Sequence, residues 1–172
     1  QKIVLGVVFI LGFLIAVYPI ISQMYYSVES TQEIKDFDEN RERMARSELN
    51  RKIELAKGYN ASLKPTNLKD PYKDKQKEGI AEYARMLEVH EKIGYVSIPK
   101  IRQKLPIYAG TVETVLEKGA GHMEGTSLPV GGASTHTVIT AHRGLPSATM
   151  FRHLDELKRG DIFYIHNIRD VL

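Results

Sequence analysis

The chain has 172 residues, with 24 lysines and arginines against 21 aspartates and glutamates, a net charge of +3 and 42% hydrophobic residues. So small a charge carries no nucleic-acid-binding signature, and no nucleic-acid partner is expected. There is no cysteine, which excludes disulfides, thiolate metal sites and a cysteine nucleophile within these residues.

Ile3 to Ile21 is a run of 19 residues without a formal charge. As a helix it rises about 28 Å, close to the roughly 30 Å hydrocarbon core of a bilayer, and a helix satisfies its own backbone in lipid. Tyr18 suits the headgroup level, and Pro19 can bend or end the helix there. Nothing polar interrupts the run on any face, which argues against a buried core helix. The run is longer than a signal-peptide core and no Ala-x-Ala-like site follows it, so a retained membrane anchor is expected. Lys2 leads the run, and Glu29, Glu33, Asp36 and Asp38 follow it. That asymmetry favours the start inside and the body outside the membrane. About 150 residues remain, enough for one cored domain.

Ser30 to Tyr59 places Ile34, Phe37, Ala45, Leu49, Ile53 and Ala56 roughly on one stripe, and the spacing predicts a long amphipathic helix capped near Gly58. Asn60-Ala61-Ser62 matches a glycosylation sequon that chance also produces. Lys64 to Gln76 reads as a loop rich in turn formers. Ile80 to His90 returns to helical spacing through Ile80, Tyr83, Ala84 and Leu87.

After Gly94 the texture changes. Tyr95–Ile98 and Lys104–Tyr108 read as short strands, Thr111–Lys118 as a short helix, and the stretch from Gly119 to Gly132 as a long glycine-rich connection. Thr135–Thr140 alternates like a strand, Phe151–Leu157 reads as a helical turn, and Asp161–Ile165 as another strand. Short strands joined by turns predict a mainly β barrel or sandwich. Open strand edges are a liability, so further strands are expected.

Of the six histidines, none shows tight metal spacing. His136 and His142 lie six residues apart without a clear third ligand, and no metal site is expected. The glycine-rich run lacks the ending and the strand–loop–helix setting of a phosphate loop. His142 closes an apolar run and precedes the turn Arg143-Gly144-Leu145-Pro146. A strand-end histidine suits acid–base work near neutrality. A structural or surface role fits the same pattern.

Gly119-Ala-Gly-His-Met-Glu-Gly-Thr-Ser-Leu-Pro-Val-Gly-Gly132 and His136-Thr-Val-Ile-Thr-Ala-His-Arg-Gly-Leu-Pro146 resemble the class C, pilus-assembling sortases. Tyr95-Val-Ser-Ile-Pro-Lys-Ile101 and Leu105-Pro-Ile-Tyr108 are similar to the opening strands of that family's barrel. Asp70-Pro71-Tyr72 is similar to its Asp-Pro-aromatic lid. The resemblance implies an eight-stranded sortase barrel with an N-terminal helical extension and a transmembrane anchor. The expected division is 1–22 anchor, 23–92 helical extension with lid loop, and 93–172 a sortase barrel whose last strands fall beyond Leu172.

The resemblance further implies a membrane-bound cysteine transpeptidase acting outside the cell. Such an enzyme cleaves LPxTG-like sorting signals and joins pilin subunits through a lysine amine, with no cofactor. His142 stands at the catalytic histidine, and Asp70, Pro71 and Tyr72 at the lid. Ala141 replaces a glycine common in the family. The family's cysteine strand and its later arginine have no counterpart among these residues, so the 172-residue chain is expected to be inactive by itself. Two other readings compete. One is a housekeeping or spore-type sortase, against which the lid triplet argues. The other is a non-catalytic membrane-tethered remnant or adaptor.

Overall fold

The computed structural model describes residues 1–63 and 91–172. The loop expected at 64–76, the helix expected at 80–90 and the lid residues Asp70, Pro71 and Tyr72 lie outside the described residues.

Helix α1 runs from Lys2 to Arg43, 42 residues in one element. It passes through Pro19 rather than ending there. Its apolar first half is exposed, and an 18-residue window in it has mean hydropathy 2.8, long and apolar enough to cross a membrane. Beyond Ser22 the same helix becomes the wall of a soluble body, burying Ser30, Ile34 and Phe37.

The amphipathic helix expected from Ser30 to Tyr59 is divided. Met44 and Ala45 adopt extended backbone, and α2 follows at Arg46–Ser62. Two extended residues redirect the apolar stripe so that Ile53 and Ala56 reach the same core as Phe37. Periodicity cannot register such a break, because Met44 and Ala45 are themselves good helix formers.

The strands are β1 (Lys92–Ile98), β2 (Gln103–Ala109), β3 (Ala120–His122), β4 (Ile139–Thr140) and β5 (Tyr164–His166), with the short helix α3 (Glu113–Leu116) between β2 and β3. They form one mixed sheet in the order β4-β3-β2-β1-β5. β1 and β2 are antiparallel with Val96 opposite Leu105, and β2 and β3 are parallel with Tyr108 opposite Gly121. β1 is buried along its whole length, so its sequence shows little of the alternation that a half-exposed strand would carry.

Three expectations shift in detail. The glycine-rich connection contains the strand β3, where Gly121 packs so closely on the Gly110 backbone that a side chain has no room. The strand expected at Thr135–Thr140 is only Ile139–Thr140, because the residues before it bond to the glycine-rich loop rather than to a ladder. The last strand lies at Tyr164–His166 rather than Asp161–Ile165, since Lys158–Asp161 is taken up by a turn that Asp161 closes on the Lys158 N–H.

The core joins both helices to the sheet. Phe37 meets Tyr95 edge to face at 6.2 Å, and Tyr95 stacks on His166 at 4.2 Å. Lys92, 3% exposed, is paired with Glu33 of α1. Asn60 at the end of α2 bridges the backbone of Leu128 in both directions, donating from Nδ2 to its carbonyl at 3.0 Å and accepting its N–H at 2.7 Å. This commitment gives the sequon asparagine a structural role.

Candidate active site

His142 lies two residues past β4, and its position is set from below by a buried network. β4 pairs with β3, Thr140 opposite Gly121 and Ile139 opposite His122. His122 is fully buried. Its Nε2 lies 2.9 Å from the Ser127 carbonyl, which can only accept, and 3.1 Å from Thr126 Oγ1. The Thr126 hydroxyl donates to the Met123 carbonyl at 2.7 Å and accepts the Val138 N–H at 3.2 Å. Burial pushes the His122 pKa below the ordinary histidine value, against the opposing effect of the Ser127 carbonyl. A neutral ring therefore donates one proton to a backbone oxygen, as a buried imidazole requires.

The glycine-rich run thus folds back on the segment leading into β4. The Ser127 N–H donates to the His136 carbonyl at 2.9 Å and the Ser127 Oγ accepts the His136 N–H at 3.1 Å, while the Met123 N–H donates to the Val138 carbonyl at 2.9 Å. The run is a clamp on the strand that ends at Ala141-His142. On the far side the His142 carbonyl accepts the Phe151 N–H at 3.0 Å. Gly144 lies against Arg152: an added side chain would meet its Nε at 2.6 Å. Arg152 in turn donates to the Leu145 carbonyl.

The His142 side chain is 27% exposed, and its Nε2 lies 3.2 Å from Glu113 Oε1 at the start of α3. Glu113 is the residue that sequence reasoning missed. It sits 29 positions upstream of His142, on a helix of 4 residues that carries no periodic signal. A cleft of about 400 Å³ is lined by the chain neighbours of His142, Ala141 and Arg143, together with Thr140 and Phe151, but not by His142 itself. A partly exposed imidazole held by a carboxylate can give and take protons from a bound ligand.

The other histidines stand apart. His136 is exposed, His153 bonds to Glu156 at 2.7 Å, and His166 is stacked on Tyr95. His90 lies outside the described residues. Among the described residues, His136 and His142 are not brought into a metal-binding group. Ser134 lies exposed with φ of 60°.

The Sortase domain family matches residues 96–171. Sortase D of Bacillus subtilis (strain 168) is 38% identical over 74 residues, a match that spans 43% of this chain and 34% of that protein. A sortase C crystal structure from Streptococcus pneumoniae is 54% identical with a TM-score of 0.74, covering 82% of this chain and 70% of that one. A pilus-related sortase C of Group B Streptococcus is 58% identical with a TM-score of 0.72, covering 80% of this chain and 70% of that one. With more than half of the aligned residues identical over at least 80% of its length, the chain belongs to the sortase family, with pilus-related class C sortases as its structural relatives.

Proposed function

We propose that these residues are the anchor, the helical extension and the histidine-bearing part of a cysteine transpeptidase that joins pilin subunits outside the cell. The observation that carries this reading is the placement of His142: beyond a clamped strand, partly exposed, with its ring held by Glu113. The division at 22 and 92 into anchor, extension with lid and barrel portion belongs to the same reading. The apolar, exposed first half of α1 supports the anchor.

The chemistry follows from the groups available. A thiolate attacks the threonine carbonyl of an LPxTG-like signal, forming a tetrahedral oxyanion. As the Thr–Gly C–N bond breaks, His142 gives its proton to the departing glycine amine, leaving a thioester. A neutral pilin lysine amine attacks the thioester and passes a proton to His142. The new amide forms and the thiolate is released. The thiol and an oxyanion-stabilising arginine are supplied by residues outside these 172, since the sequence contains no cysteine. Asp70, Pro71 and Tyr72 form a lid, Tyr72 filling the groove of the resting enzyme and Asp70 pairing with that arginine. Lid opening admits the peptide.

The test compares residues 1–172 with a form extended through a downstream cysteine and arginine, each with and without His142→Ala. Both are offered a quenched LPxTG-like peptide and an amine acceptor. Turnover is expected only in the extended form with His142 intact. Histidine-dependent turnover by the 172-residue chain would overturn the reading. A gene that stops at codon 172 would favour the non-catalytic remnant.

A further inference from the structure

Between α1 and the β1–β2 connection lies a cleft of about 570 Å³ that the transpeptidation chemistry leaves unused. On the α1 side its wall includes Gln23, Ser27 and Ser30, spaced by three and four residues and therefore on one face of the helix. On the sheet side it includes Ser97, Arg102 and Lys104, and among the described residues no carboxylate lines it. Arg102 and Lys104 are exposed and have no carboxylate partner among the described residues. Glu29 and Glu33 line a neighbouring cleft that shares Tyr26 and Ser30 with this one, and there Glu33 is paired with Lys92.

Two features mark this cleft as built. Ser30 is 6% exposed, yet its Oγ has no hydrogen-bond partner. The Tyr26 hydroxyl, one turn earlier, donates to the Lys118 carbonyl at 3.0 Å, so towards Ser30 it acts only as an acceptor and the Ser30 oxygen is left without a donor. A buried hydroxyl without a partner is costly unless a ligand completes it. Arg102 follows the tight turn Pro99–Ile101 and holds a left-handed backbone with φ of 50°, a conformation a non-glycine residue adopts at a cost.

The position narrows the ligand. Gln23 stands two residues beyond the last apolar position of the run, about 3 Å along the helix, and Ser30 about 13 Å along it. The headgroup layer on each side of a bilayer is about 5–7 Å deep. The cleft therefore opens at headgroup level and extends just outside it. Two cations with several hydroxyl donors match a group that bears negative charge and several acceptor oxygens. We propose that this cleft binds a phosphate-bearing anion, with Arg102 and Lys104 balancing its charge and the Ser30 and Ser97 hydroxyls donating to its oxygens. The headgroup of an anionic lipid and soluble phosphate offer the same chemistry.

The test uses the whole chain, isotopically labelled, in nanodiscs of phosphatidylcholine. Inorganic phosphate is titrated into one sample, and a second uses discs that also contain phosphatidylglycerol. Magnetic resonance follows the Arg102 side-chain N–H and the amides of Ser97 to Lys104. Saturable shifts in the phosphatidylglycerol arm alone assign the site to a lipid headgroup. Shifts with phosphate in phosphatidylcholine discs assign it to the soluble anion. In either case Arg102→Gln with Lys104→Gln abolishes the shifts, and Ser30→Ala, which leaves the charge unchanged, weakens binding roughly tenfold. No saturable shift in either arm overturns the proposal. So does a Ser30→Ala chain that binds as tightly as the parent, because attraction to bare surface charge would then explain the effect. Peptide cleavage is not read, so the outcome is independent of the transpeptidase assignment.

Discussion

Glu113 and His142 meet at 3.2 Å across 29 residues of sequence, one at the start of a single-turn helix and the other past a two-residue strand. If the carboxylate orients the ring, the Nε2 that faces Glu113 carries the proton, because an ionised carboxylate can only accept. Glu113→Ala is expected to redistribute the histidine tautomers seen by ring-nitrogen resonances. It should also lower kcat of an extended, cysteine-bearing form about tenfold or more, with less effect on KM. Stability should change by less than about 1 kcal/mol, since the Glu113 side chain is largely exposed. Unchanged tautomers with unchanged kcat would show the contact to be incidental.

His122 makes stability depend on pH. Its folded-state pKa lies below the unfolded value because the ring is buried. Between the two values the unfolded chain binds the extra proton. The contribution is therefore complete above roughly pH 6.5, the ordinary histidine value, and is lost as pH falls below it at up to about 1.4 kcal/mol per pH unit. Denaturant melts of the soluble body across mildly acidic pH should show this decline. His122→Gln should flatten it while lowering stability near neutrality. A slope identical in parent and variant would mean that other groups carry the acid sensitivity.

Phe37 tests whether the membrane-proximal helix is part of the folding unit. It is fully buried and meets Tyr95 edge to face. Phe37→Ala should cost about 3–5 kcal/mol and should lower the protection of β1 amides in hydrogen exchange. If β1 protection stays unchanged, α1 is an independent strut rather than a wall of the core.

The anchor prediction rests on the exposed apolar half of α1. The protein should stay with membranes through high-salt and alkaline washing, because apolar burial is not screened by salt. Leu11→Arg places a charge near the middle of the run at a cost of about 2.5–3.5 kcal/mol, and a larger washed-off fraction should result. Release of the parent by salt alone would rule out insertion.

Composition and order alone determined much of this protein. The uncharged run from Ile3 to Ile21 needs no tertiary context to be read, because bilayer thickness fixes its length. The strands at Tyr95 and Lys104 were legible because β-rich runs bounded by turn residues signal themselves locally. The tertiary structure decided what depends on distance across the chain. It placed Glu113 against His142, turned the glycine-rich run into a clamp through His122 and Thr126, and broke the long helix at Met44. Each is a contact or a redirection between segments, and periodicity reports only on neighbours three or four residues away. Among the described residues, the short ladder β3 escaped the sequence reading because its residues are Ala120, Gly121 and His122. They have little strand propensity of their own, and a strand there exists only because Gly121 lets two backbones approach where any side chain would collide.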